Sequence, residues 1–211
     1  MIKIKLCGFS NKETVDLAAN LGVDFIGFVF HEPSPRNVTV KKAKEIAVDL
    51  PSKVKKVAVI ADDNNDKIAE IMKNFRPDFL QLHGDQTPQR ISEIKKLFQI
   101  PIIKAIAIAE KNDLLEISRY QQVADMFLFD AKVKGLAGGS GQAFDWKILQ
   151  NLKIDKDWFL SGGLNINNID QALKITGAKM IDLSSGIEKN KGTKSAELIT
   201  RLLESLKKKY Y

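Results

Sequence analysis

MIDLSSGIE, Met180 to Glu188, reads as an apolar strand that runs directly into a Ser-Ser-Gly turn. Its near-twin lies one unit upstream in WFLSGGL, Trp158 to Leu164. Each strand opens into backbone with little side chain, so peptide N–H groups at Gly162, Gly163, Ser184, Ser185 and Gly186 can converge on an anion. Phosphate suits such a place, because it takes several N–H donors and tolerates no bulk. In a (βα)8 barrel the loops after strands seven and eight commonly hold a phosphate. The α/β barrel is therefore the fold to test, and six earlier strands must precede these two.

They are found in order. Strands are predicted at Ile2 to Cys7, Phe25 to Phe30, Val54 to Ile60, Asp78 to Leu82, Pro101 to Ile106 and Asp125 to Asp130. Several are continuous apolar runs, as parallel strands covered on both faces should be. Helical patterns alternate with them. Asn11 to Leu21 carries Val15, Ala18 and Leu21 on one face. Thr39 caps a helix striped by Val40, Ala43, Ile46, Ala47 and Leu50. Further helices are predicted over Asn65 to Phe75, from Pro88 onward, over Leu114 to Tyr120, and briefly over Asp145 to Leu152. Asn165 should cap the next, ending near Thr176 with Gly177 as its stop. This is one closed (βα)8 TIM barrel, residues 1–211, without a linker. The open doubly wound alternative wants Gly-x-Gly-x-x-Gly after the first strand, and Cys7-Gly8-Phe9 does not fit it.

Composition narrows the function classes. The 211 residues, 44% hydrophobic and 28% charged, are ordinary for a globular protein. No apolar run approaches the roughly 20 residues of a membrane span, and MIKIKLCGFS is a strand pattern without a signal peptide's apolar block. One cysteine and two histidines offer no disulfide and no metal cluster, so a cytoplasmic setting is expected. Of the net +7, +4 lies in Lys191 to Tyr211. That segment reads as an amphipathic helix with Ala196, Ile199, Leu202, Leu203 and Leu206 on one face. Lys207, Lys208 and Lys209 suit the negative end of its dipole. The expectation is a solvated helix end and no nucleic acid, no membrane and no obligatory protein partner.

The strand ends carry the reactive groups. Cys7, in KLCG, has two readings: a packing residue, or a base if nearby positive charge lowers a thiol pKa that is ordinarily about 8.5. Lys5, two residues back on the same strand face, is the candidate source. Asp130 ends four apolar residues. It is a cap, a partner for Lys132 or Lys104, or a general acid with a raised pKa. Asp182, inside the last strand, is expected to orient a neighbour. Arg36, in HEPSPRNV and braced by Pro33 and Pro35, is either solvated or a bidentate carboxylate clamp. A loop-end guanidinium is expected to carry little burial. His83, in QLHG, reads as a hydrogen-bonded wall residue. GGSG, Gly138 to Gly141, reads as a lid or a connector.

Together KLCG, GFVF with SPR, QLHG, LFDAK with GGSGQAFDW, LSGGL, DLSSGIE and KGTKS occur in one order from Lys5 to Ser195. In these motifs the chain resembles the phosphoribosylanthranilate isomerases of tryptophan biosynthesis. The resemblance implies an Amadori rearrangement of a phosphorylated aminoaldose without a cofactor. Asp130 would protonate the ribose ring oxygen and Cys7 would take the C2′ proton. Arg36 would hold the anthranilate carboxylate, and the two Gly/Ser loops the phosphate, with His83 and Asp182 in the substrate wall. One departure is Gly192-Thr193-Lys194-Ser195, where the family usually reads Gly-x-Lys-Asp; Ser still caps a helix. Two rivals are the related histidine-pathway isomerases, which use two aspartates, and a non-catalytic basic barrel that binds RNA.

Overall fold

Each predicted apolar run forms a strand in the computed structural model, which describes residues 1–62, 64–132 and 144–211. The strands are β1 Lys3–Cys7, β2 Phe25–Val29, β3 Lys55–Ile60, β4 Phe79–Leu82, β5 Ile102–Ile108, β6 Met126–Ala131, β7 Trp158–Leu160 and β8 Met180–Leu183. They pair in sequence order and close into a barrel, β8 returning to β1 in parallel register. The helices are α1 Lys12–Asn20, α2 Val40–Ile46, α3 Asn65–Asn74, α4 Pro88–Phe98, α5 Glu116–Tyr120, α6 Ile169–Thr176 and α7 Ala196–Tyr210.

The period-two alternation of each strand divides the core into two layers. Inward side chains, among them Phe25, Val57, Ile103, Leu128, Phe159 and Met180, fill the barrel. Phe25 meets Phe79 and Phe159 edge-on, at centroid distances of 5.8 and 5.2 Å, and plugs its lower half. Outward side chains such as Leu6, Ile26, Ala58 and Ile181 pack under the helices. Both faces are therefore dry, and each large apolar side chain so buried contributes about 1.5–3 kcal/mol.

Local signals set the helix ends. Thr39 Oγ1 accepts from Lys42 N–H at 3.1 Å, Pro88 occupies the first turn of α4, and Ser195 Oγ accepts from Leu198 N–H at 3.3 Å. Gly177 stops α6 in the left-handed region, at φ 66°. Below the barrel, Asp24, Asp78 and Asp125 each precede an even-numbered strand. Their carboxylates accept the N–H of Ile4, Lys56 and Ile102 at 2.7, 2.8 and 2.8 Å, pinning the start of the preceding strand.

Several expectations are corrected. Asn165 does not cap α6: its carboxamide accepts from Asn167 N–H at 2.9 Å, an Asx turn that delays the helix until Asn168. Leu114 to Tyr120 divides into a 3-10 turn, Lys111–Leu115, followed by α5. The helix expected over Asp145 to Leu152 shrinks to a 3-10 turn at Trp146–Leu149, with Asp145 as its cap. Ala196 is exposed, and the buried face of α7 begins at Ile199. A hairpin of β9 Glu188–Asn190 and β10 Thr193–Lys194 follows β8, turning at Gly192 with φ 85°. The segment Gly138 to Gly141 lies outside the described residues.

Candidate active site

The C-terminal ends of the strands surround one cavity at the barrel mouth. Cys7, Arg36, His83, Asp130, Gly162, Gly163, Asp182, Ser184 and Ser185 all line it, so sequence positions far apart meet as predicted. Gly186 does not line it. A Cβ there would stand 2.0 Å from Leu164 O, so this glycine lets the loops after β7 and β8 pack backbone to backbone. Gly162, at φ 85°, likewise brings the loop after β7 against β6: a Cβ would lie 2.8 Å from Ala131 N and 3.4 Å from Asp130 Oδ1.

Cys7 ends β1 beside Gly27 of β2, where any Cβ would meet its sulfur at 2.6 Å. Lys5, fully buried one pleat below, donates to Asp182 Oδ1 at 2.8 Å. Ser161 Oγ donates to Asp182 Oδ2 at 3.3 Å. Burial alone would lower the Lys5 pKa, but Asp182 and the thiol outweigh it, so this ammonium is held charged. Asp182 thus orients a neighbour, and the neighbour is Lys5. Lys5 is the positive charge beside the thiol that a base would require, and burial opposes it. Burial pushes Cys7 up, Lys5 pulls it down by charge and hydrogen bond, and burial wins.

Asp130 is buried at the end of β6. Its Oδ1 accepts from Ala131 N–H at 2.9 Å, and its Oδ2 lies 3.4 Å from His83 Nε2. The lysines considered as its partners are engaged elsewhere. Lys132 pairs with Asp113 at 2.8 Å, and Lys104 donates to the carbonyls of Gly84 and Ala105 at 2.7 and 2.8 Å.

Arg36 overturns the picture of a lightly buried loop residue. It is 6% exposed, and its Nε and Nη2 donate to Glu188 Oε1 and Oε2 at 2.7 and 2.9 Å. Lys194 completes the cluster, donating to Glu188 Oε1 at 2.7 Å and to Ser184 O at 2.9 Å. For Glu188, burial works against the charge, but bonds from Arg36, Lys194 and Gly192 N–H overcome it and lower the pKa to about 2. For Lys194, burial prevails over the attraction of Glu188 and lowers the pKa to about 8. The two shifts fall together because Glu188 is shared by two cations while Lys194 has one carboxylate. Sequence reasoning missed Glu188, Lys194, Ser161 and Gln81 as site residues. Glu188 and Lys194 stand inside the quoted motifs, but nothing local announces their partner, 152 residues from Glu188.

Among the described residues no group of three or more His, Cys, Asp or Glu side chains could hold a metal ion, and no helix is long and apolar enough to cross a membrane.

A closed eight-stranded β/α barrel with its ionisable groups gathered at the C-terminal mouth has the architecture of the (βα)8-barrel enzymes. The comparisons narrow this class. Residues 4–205 match the family model described as N-(5'phosphoribosyl)anthranilate (PRA) isomerase. The chain is 40% identical to the N-(5'-phosphoribosyl)anthranilate isomerase of Parvibaculum lavamentivorans, over 98% of this chain and 99% of that one. It is 43% identical to that of Nitrobacter winogradskyi, over 93% and 88%. The crystal structure of phosphoribosyl anthranilate isomerase from Thermotoga maritima superposes with a TM-score of 0.89 at 28% identity, covering 99% of this chain and 100% of that one. A second, in complex with reduced 1-(o-carboxyphenylamino)-1-deoxyribulose 5-phosphate, superposes with a TM-score of 0.84 at 27% identity, with the same coverage. The chain belongs to the N-(5'-phosphoribosyl)anthranilate isomerase family.

Proposed function

We propose that this chain, as one barrel domain, isomerises N-(5'-phosphoribosyl)anthranilate to 1-(2-carboxyphenylamino)-1-deoxyribulose 5-phosphate, with Asp130 as general acid and Cys7 as general base. The isomerisation is the family's reaction in tryptophan biosynthesis. The observation that carries the residue roles is that Cys7 and Asp130, at the ends of β1 and β6, line the same cavity.

The proton count balances. Asp130 gives its proton to the ribose ring oxygen, the C1′–O bond breaks, and the anilino nitrogen's lone pair forms the protonated imine. Cys7 then takes the C2′ proton, the C2′–H electrons move to give the enolamine, and tautomerisation yields the ketone. Cys7 enters this step as its thiolate, which the charge of Lys5 favours and burial opposes, and the C2′ proton returns it to the thiol.

The product-like ligand held by the second structural relative carries a carboxyphenyl group and a phosphate by name. In this chain the backbone at Gly162, Gly163, Ser184 and Ser185 supports the phosphate end. Arg36 is the cation for the carboxylate, sharing its guanidinium with Glu188. Asp182 acts through Lys5, and Gly186 by shaping the loop. The single thiol fits a cytoplasmic setting.

Cys7→Ser tests the base, since a hydroxyl fills the space but is a far poorer base near neutral pH. General acid–base groups contribute about 10²- to 10⁴-fold, so kcat should fall by at least the lower figure with KM nearly constant. Near-normal turnover in both Cys7→Ser and Cys7→Ala would reduce Cys7 to packing.

A further inference from the structure

Beneath Asp130 lies a pair that the proton count does not use. Gln81, on the inward face of β4, is 1% exposed, and its Nε2 stands 3.1 Å from His83 Nδ1. His83 turns its other nitrogen, Nε2, towards Asp130 Oδ2 at 3.4 Å. The carboxamide oxygen of Gln81 is buried without a hydrogen-bond partner among the described residues.

An amide NH2 only donates, so the nitrogen it faces must offer a lone pair. With the amide in this orientation, a neutral imidazole that accepts at Nδ1 keeps its single proton on Nε2, the nitrogen nearest Asp130.

We propose that Gln81 is a positioning residue that fixes His83 as the neutral Nε2–H tautomer, so that His83 orients Asp130 without taking its proton. The proposal deepens the acid role of Asp130 and rests on it. Ala131 N–H is on Oδ1 and His83 Nε2 stands 3.4 Å from Oδ2, which leaves each carboxyl oxygen a lone-pair direction. One of these can carry the transferable proton. Once the proton has gone to the ring oxygen, the new carboxylate is already held by Ala131 N–H and faced by His83 Nε2, so charge develops beside donors in place. Turning the amide over would bring its oxygen to Nδ1, reverse the tautomer and move the NH2 into the unpartnered place.

The tautomer is read directly from two-bond 1H–15N spectra of the whole protein at pH 7, with His31→Asn identifying the His83 signals. The expected pattern is a neutral ring protonated on Nε2; a proton on Nδ1 overturns the proposal. Gln81→Glu puts an acceptor at Nδ1. It should shift His83 to an Nδ1-protonated pattern and lower kcat at least about tenfold with little change in KM. Gln81→Met, near in volume and without a donor, should release the tautomer and lower kcat less, keeping the test available if the acidic variant does not fold. Unchanged kcat in both variants, with Asp130→Asn inactive, overturns the role of Gln81 and leaves the acid standing. An active Asp130→Asn removes the acid, while the spectra still decide the tautomer.

Discussion

One strand, β6, is bracketed by two aspartates that do opposite things. Asp125, below it, is partly exposed, pairs with Lys95 at 2.6 Å and accepts the N–H of Ile102 at 2.8 Å. Asp130, above it, is 7% exposed and shares its oxygens between one backbone N–H and a histidine at 3.4 Å. The lower carboxylate is matched by an ammonium and spent on fixing the chain. The upper one has no ammonium or guanidinium among its described partners. Position at a strand end is common to both; what separates them is burial and the kind of donor available. That division follows the barrel's axis, since Asp24 and Asp78 likewise hold the N–H of a preceding strand from below.

The sharpest way to break the comparison is to neutralise each member. Asp130→Asn keeps the shape and removes the proton, so kcat should fall by about 10²- to 10⁴-fold while the melting temperature barely moves. Steady-state kinetics beside a thermal melt decides it, and a variant that loses stability but not turnover would reverse the assignment.

Lys5→Met tests the intermediate case, a charge near the chemistry that is fully matched. It leaves Asp182 buried beside Ser161 without its ammonium. Breaking such a pair costs about 3–5 kcal/mol, which urea unfolding measures. In the folded fraction kcat should also fall, because the thiol loses the charge that opposes its burial.

Glu188 sharpens the comparison through pH. Its folded-state pKa, about 2, lies below the ordinary glutamate value of 4.5, so the unfolded chain takes up its proton first on acidification. The stability this group contributes is full above about pH 5 and is lost as pH falls towards 2; its size is on the order of 3 kcal/mol. Glu188→Gln should flatten that part of the stability curve, and an unaltered acid limb would show that the cluster does not behave as a unit. Arg36→Met should be destabilising as well as weakening substrate, since Arg36 is one of the two cations on Glu188.

The smallest effect is expected from Asp125→Asn. It trades a charge-assisted bond for a neutral one at a partly exposed site, worth about 1 kcal/mol, with kcat unchanged. A loss of turnover there would mean that the lower face reaches the chemistry.

What the sequence made legible was whatever is local or periodic. The eight apolar runs, the Thr39 and Ser195 caps, Pro88 and the Gly177 stop all depend on neighbours within a turn. The gathering of Cys7, Asp130 and the two small-residue loops followed once strand ends were known to share a face. Pairings across the chain were not legible. Lys5 was readable as a charge near Cys7 and Asp182 as an orienting group, yet nothing marked them as partners. Arg36 read as a loop residue because Glu188 and Lys194 reach it through a hairpin too short to show as alternation. The aspartates before β2, β4 and β6 had a readable sign, an Asp directly ahead of an apolar run, but its meaning lies in the N–H of another strand.

The Lys5–Asp182 pair has a consequence for how the chain reaches this shape. The two residues face each other in the β1–β8 register and stand 177 residues apart. Joining them shuts the longest loop the barrel contains, and the entropy of that closure grows only as about (3/2)RT ln n, yet no contact rewards it until both ends are in hand. The seam is therefore expected to close late, after the locally connected strand–helix units have condensed. Until it does, Lys5 lacks its carboxylate and Cys7 lacks a wall at Ser184. In refolding, helical ellipticity should return first, and turnover only with the final docking of β8.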